Sequence, residues 1–128
     1  MVNVENEYGK LKEVIVGRVD NANQPYHGTD LHAINYADKD KIPLSERGLF
    51  DAQVYEESIE DLDLLSSALE DFGAKVHRPN ILDTKKTVSN GYWETDQYYT
   101  FCPRDTMTVI GDTIIESPMT LRSRQFET

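Results

Sequence analysis

A chain of 128 residues, 38% hydrophobic and 9% aromatic, suits one domain with a core of its own and is too apolar for a disordered segment. Its 23 acidic against 13 basic residues give a formal charge of −10, which repels phosphate backbones and excludes nucleic acid as an expected partner. The apolar runs are short, as in Val14 to Val16, and Met1 to Glu13 has no basic-then-apolar leader pattern; with Cys102 the lone cysteine, no membrane span and no internal disulfide are expected, and the simplest location is cytoplasmic.

The first regular signal is Leu11 to Val16, LKEVIV, β-branched and stopped by Gly17, which predicts a strand whose last residues are buried on both faces. From Asp20 to Arg47 no period holds, so a long irregular loop is expected. Val54, Tyr55, Ser58, Ile59, Leu62, Leu65, Leu69 and Phe72 then fall at helical spacing among Glu and Asp residues. That pattern predicts an amphipathic helix with one apolar stripe and one solvated acidic face. Asp51 is its expected N-cap, and Gly73 sits where a left-handed residue ends helices. Ala74 to Arg78 reads as a second strand ended by Pro79, and the order strand, long connection, helix, strand predicts an α/β unit. Val88 to Thr100 is polar and aromatic. Met107 to Ile110 and Thr113 to Glu116 flank Gly111-Asp112, a hairpin signal. Leu121 to Glu127 has helix-forming composition and stops at Thr128 without a cap, as an interrupted element would.

No glycine-rich phosphate loop of either common type is present, and no cofactor is expected. His27, His32 and His77 are scattered without metal-ligand spacing, so no metal site is expected. His77 should face solvent or an edge of its strand, whereas His27 and His32 lie in the long loop. Cys102 lacks an identifiable base, and a thiol without one makes a poor nucleophile, so it reads as a half-buried structural cysteine. Asp105, in Phe101-Cys102-Pro103-Arg104-Asp105, sits just before the apolar hairpin, where a rigid sheet can present a side chain. A carboxylate there can accept paired N–H donors from a planar guanidinium. The residues alone equally allow a local ion pair with Arg104 or a turn cap.

Several segments resemble the amidinotransferase family, which includes glycine and inosamine-phosphate amidinotransferases. They are Asn6-Glu7-Tyr8, Leu11 to Arg18, the acidic helix, Val76 to Pro79, Trp93-Glu94-Thr95-Asp96, Cys102-Pro103-Arg104-Asp105, and Ile114 to Met119 running on to Arg122-Ser123-Arg124. The resemblance covers nearly all of this chain but about the first third of a typical member. It implies an α/β, pentein (αβ-propeller) fold, with residues 1–128 as a single domain holding the first module and the start of the second. It also implies a ping-pong reaction, in which a cysteine takes the amidino group from L-arginine and passes it to an acceptor amine such as glycine. Asp105 matches the family's substrate-binding aspartate, and Arg104, Glu94 and Arg122 match positions expected to support it from behind. The nucleophilic cysteine and the histidine belong to later segments, so no catalytic residue is expected in this chain, which alone should be inactive. Two alternatives stand beside this reading: a guanidino-group hydrolase of the arginine deiminase type, and a stand-alone, non-catalytic module that binds a partner chain. A partial pentein would leave strand edges open, so a homo-oligomer or a completing partner chain is expected, with L-arginine or another guanidino compound as ligand. The Asp105 reading requires its oxygens to face a hollow rather than be buried against an arginine.

Overall fold

The computed structural model describes residues 2–25, 30, 31, 33 and 48–128; His27, His32 and most of the predicted long loop lie outside them. Strand β1 (Glu13–Ile15) pairs in parallel with β4 (Lys75–His77), in the register Glu13 to Lys75, Val14 to Val76 and Ile15 to His77. Between them in sequence lies helix α1 (Ala52–Asp71), so the predicted α/β unit is formed. Parallel pairing requires such a crossover, because a tight turn can only return the chain antiparallel.

The helix starts and stops where its end residues dictate. The Asp51 carboxylate accepts from the Gln53 N–H at 2.9 Å, satisfying one of the first-turn donors that have no partner inside the helix. At the other end Gly73 takes φ +84, its N–H donating to the Glu70 carbonyl and that of Ala74 to Leu69. This is the paired closure that glycine permits without a Cβ penalty. Leu62 is buried, with Tyr55, Ile59 and Leu69 packed on the same side against Val14, Val16, Val19, Ala22 and Val76. The predicted stripe is wider than the observed one: Val54, Leu65 and Phe72 are exposed, Phe72 at 84%. A two-stranded sheet is narrow, and residues at the margins of the stripe pass beyond its edge.

The strand expectation also needs correction. Val16 is buried, but Ile15 is 47% exposed, so β1 is covered on its helix face and open on the other. Val14 and Val16 point one way toward α1; Ile15 alternates away from it, beside His77. His77 is exposed as expected and bonds the Glu13 carboxylate at 2.7 Å.

The irregular segments are held by buried polar groups. Asn23, 2% exposed, donates to Asp96 Oδ2 at 2.8 Å and to the Gln97 carbonyl at 2.9 Å. Thr84, fully buried, donates to the Asn21 carbonyl at 2.6 Å and accepts the Gln97 N–H on its own carbonyl. The bonds from Asn23 and from the Thr84 hydroxyl tie together segments about 60 to 75 residues apart in sequence. Two short pairs stand here: β2 (Asn23–Gln24) with β3 (Gly48–Leu49), and β5 (Val88–Ser89) with β6 (Glu94–Thr95). Neither had an apolar period to announce it.

The predicted hairpin is present as β7 (Met107–Ile110) and β8 (Thr113–Glu116), turning at Gly111 with φ +57. Leu121 to Glu127, by contrast, forms one 3-10 turn, Arg122–Arg124, instead of a helix. Here the side chains of Arg124 and Glu127 bond each other and neighbouring elements, and a tight turn brings them together.

Candidate functional site

Asp105 stands on a one-turn helix, α2 (Pro103–Thr106), immediately before β7. Proline opens this turn at no hydrogen-bonding cost, since the first N–H of a helix has no internal partner. The turn is clamped at both ends. The Asp105 N–H donates to the Cys102 carbonyl at 3.1 Å, and the fully buried Thr106 donates its hydroxyl to the Pro103 carbonyl at 2.8 Å. The Thr106 carbonyl then accepts from the Ser117 N–H at 2.9 Å, fixing α2 to the chain leaving β8.

The carboxylate of Asp105 is 38% exposed, and its two oxygens differ. Oδ2 accepts from Arg124 Nη1 at 3.0 Å, whereas Oδ1 lies 3.7 Å from Nε of Arg104, whose side chain is 91% exposed. The pairing with Arg104 that the residues alone allowed is therefore loose. Arg124 is the true neighbour. Oδ2 is committed to Arg124, whereas Oδ1 has only the loose contact with Arg104.

Arg124 and Glu127 went unrecognised in the sequence as members of the site. The Arg124 side chain is 8% exposed and that of Glu127 only 2%. Nε of Arg124 lies 3.0 and 2.9 Å from the two oxygens of Glu127, and Nη2 lies 2.8 Å from Oε2. Nη2 also reaches the Cys102 carbonyl at 3.4 Å, and the guanidinium carbon stands 5.2 Å from the centre of the Tyr99 ring. Burial works against the charge of Arg124, but its hydrogen bonds to Glu127 and Asp105 outweigh that and push its pKa above the ordinary arginine range. Burial pushes the Glu127 carboxyl up, opposed by Arg124. The three charge-assisted contacts between them describe an ion pair, which we take as charged on both sides. Burial raises Tyr99 to about 12. Burial first, and Asp105 second, also raise the Cys102 thiol, opposite to what a nucleophile needs, in keeping with a structural role. The available signal for Arg124 and Glu127 was their spacing of three, which brings an acid and a base together on any helical turn.

Of the other residues expected around Asp105, Arg104 alone is shown beside it. Arg104 projects into solvent. Glu94 is exposed on β6, opposite Ser89. Arg122 lies with its guanidinium carbon 5.7 Å from the Trp93 ring centre, its backbone N–H donating to Asp30 at 2.9 Å. A cleft of about 330 Å³ lies alongside, lined by Ile15, His77, Pro103, Met107, Phe126 and Glu127 among others. Asp105 is not in its wall, and its Oδ2 is bonded to the buried Arg124, so among the described residues the carboxylate does not face a hollow as the sequence reading required; it is only partly exposed. Among the described residues no cluster of three or more His, Cys, Asp or Glu could hold a metal ion, and no helix is long and apolar enough to cross a membrane.

The chain is 37% identical over 99% of its length to inosamine-phosphate amidinotransferase 1 of Streptomyces glaucescens, and 33% identical over 95% to the mitochondrial glycine amidinotransferase of Xenopus laevis. The chain is a homologue of the amidinotransferases. The solved inosamine-phosphate amidinotransferase StrB1 of Streptomyces griseus superposes with a TM-score of 0.89 at 38% identity, covering 97% of this chain and 36% of that one. The amidinotransferase SxtG of Microseira wollei, from the saxitoxin biosynthetic pathway, gives 0.82 at 34% identity, covering 98% and 35%. This homologue therefore spans about a third of those relatives' length: 37% of the Streptomyces glaucescens protein and 29% of the Xenopus laevis one. No protein-family model matches it. The solved neighbours share its mixture of helix and sheet.

Proposed function

We propose that this amidinotransferase homologue supplies a substrate-binding carboxylate, Asp105, to an active site that transfers the amidino group of L-arginine to an acceptor amine such as glycine. Under this reading residues 1–128 are a single domain, the first module of a pentein with the start of the second, and no catalytic residue lies among them. The nucleophilic cysteine and the acid–base histidine would come from further segments or from a partner chain. Amidino transfer is favoured over hydrolysis because the similar proteins, from two bacterial genera and from vertebrates, carry amidinotransferase names.

The observation that carries the reading is the asymmetry of Asp105, a partly exposed side chain on a turn clamped to a hairpin: Oδ2 is bonded to Arg124 and Oδ1 has only a loose contact with Arg104. With Oδ2 held by Arg124, Oδ1 is left to accept an N–H from a ligand guanidinium, so Asp105 offers a charge and one fixed acceptor instead of a paired one. One exposed ion pair contributes only about 0–1 kcal/mol, so Asp105 would orient arginine while other groups hold it. Covalent transfer additionally requires an activated nucleophile, and Cys102 is not one. The test mixes the full chain with the remaining two-thirds of Streptomyces griseus inosamine-phosphate amidinotransferase 1 and measures ornithine release from arginine. The chain alone should give no turnover, the mixture should turn over, and Asp105→Asn should abolish it. Turnover by the mixture that Asp105→Asn leaves intact rules the assignment out, as does turnover by the chain alone.

A further inference from the structure

Arg124 poses an electrostatic problem for the site just described. A carboxylate bonded to an arginine forms a neutral pair, and a neutral pair has little attraction for another cation. Asp105 on its own with Arg124 would thus be poorly suited to hold a guanidinium.

Glu127 resolves it. We propose that Glu127 and Arg124 are positioning residues that together hold Asp105 in place without cancelling its charge; this rests on the reading of Asp105 as a guanidinium ligand. Glu127 takes both Nε and Nη2 of Arg124, leaving Nη1 for Asp105. The three side chains carry two negative charges and one positive, a net charge of −1. The burial is graded so that this charge sits on the outside: Glu127 is 2% exposed, Arg124 8% and Asp105 38%. The Tyr99 ring lies against the Arg124 guanidinium, so the pair is packed on the chain preceding α2. Arg124 Nη2 reaches the same Cys102 carbonyl that accepts the Asp105 N–H, which couples the orientation of Arg124 to the start of the Asp105 turn. Arg104 is the other cation near the free oxygen. At 3.7 Å and 91% exposed it is solvated and beyond hydrogen-bonding distance, so it competes weakly.

The arrangement makes two separable demands. Glu127→Gln keeps the shape but removes the compensating charge, so Arg124 turns its whole charge on Asp105. Arg124→Lys keeps the charge but loses the fork that spans two carboxylates at fixed angles. The probe is methylguanidinium, titrated into the full chain and followed by the slope of the Asp105 amide shift in nitrogen-15 NMR spectra, with methylammonium as the point-charge control. In the native sequence methylguanidinium should shift Asp105 more steeply than methylammonium. Glu127→Gln should cut the slope at least about twofold, the factor that a unit charge at about 8 Å is worth in water. Glu127→Asp should recover most of it, and Arg124→Lys should erase the preference for methylguanidinium while the Thr106 and Ser117 amides keep their shifts. If Glu127→Gln fails to fold, Arg124→Lys and Glu127→Asp still decide the matter. A slope unchanged in both Glu127→Gln and Arg124→Lys, with Asp105→Asn losing it, overturns this inference and leaves the Asp105 assignment standing. A slope that survives Asp105→Asn removes both, and none in the native chain removes this inference.

Discussion

Replacing Gly17 by alanine should separate the two halves of this fold. Gly17 follows the β1 segment, where Arg18 donates its N–H to the Thr100 carbonyl at 3.0 Å. A Cβ on Gly17 would lie 1.8 Å from the Phe101 carbonyl oxygen and 2.8 Å from that of Thr100, where real Cβ contacts stay above 3.0 Å. The chains would have to part by about 1.2 Å, and the obstacle is backbone, which cannot swing aside as a side chain does. That displacement breaks the Arg18–Thr100 hydrogen bond, worth about 1 kcal/mol. It also loosens the packing of Val16 and Val19 against Tyr99, and forced expansion of a packed core costs about 1–3 kcal/mol. We expect a loss of about 2–4 kcal/mol, measured by urea unfolding followed by Trp93 fluorescence and far-ultraviolet circular dichroism. Gly73→Ala is the control. Nothing lies within 4 Å of a Cβ there, so only the left-handed conformation is penalised, by about 1–2 kcal/mol. A Gly17→Ala protein no less stable than Gly73→Ala refutes the claim that close backbone approach sets this junction.

Other outcomes follow from burial and charge. Leu62→Ala should destabilise by about 2–3 kcal/mol in the same unfolding assay, toward the low end of core truncations because the core is small, while Phe72→Ala should change stability by under about 0.5 kcal/mol. Equal effects would contradict the narrow stripe. Tyr99 should remain a phenol as pH passes 10 and ionise near 12, so tyrosinate absorbance in Tyr99→Phe should lack that last component. Because the folded-state value is raised, this stabilisation is complete below pH 10 and is lost as pH rises toward 12; a chain whose stability stays flat across that window would count against the burial of Tyr99.

Period and punctuation in the sequence carried the α/β unit. The spacing of Ile59, Leu62 and Leu69, the Asp51 cap and Gly73 defined α1, and Gly111-Asp112 defined the hairpin, because each depends on neighbours along the chain. Residues in the motif around Pro103 also pointed to Asp105 as the side chain worth examining. Several features were illegible for one reason, namely that they join distant segments. Which face of β1 stays open, and how Asn23 and Thr84 hold the irregular stretches, depend on partners about 60 to 75 residues away. So it is with the charge at Asp105. A lone acid beside Arg104 could be read from sequence, but its neighbour in space is Arg124, and the acid that balances Arg124 is buried. Sequence determines which charges are available; only folding decides which are desolvated, and desolvation fixes whether a carboxylate is spent on the protein's own arginine or left open for another cation.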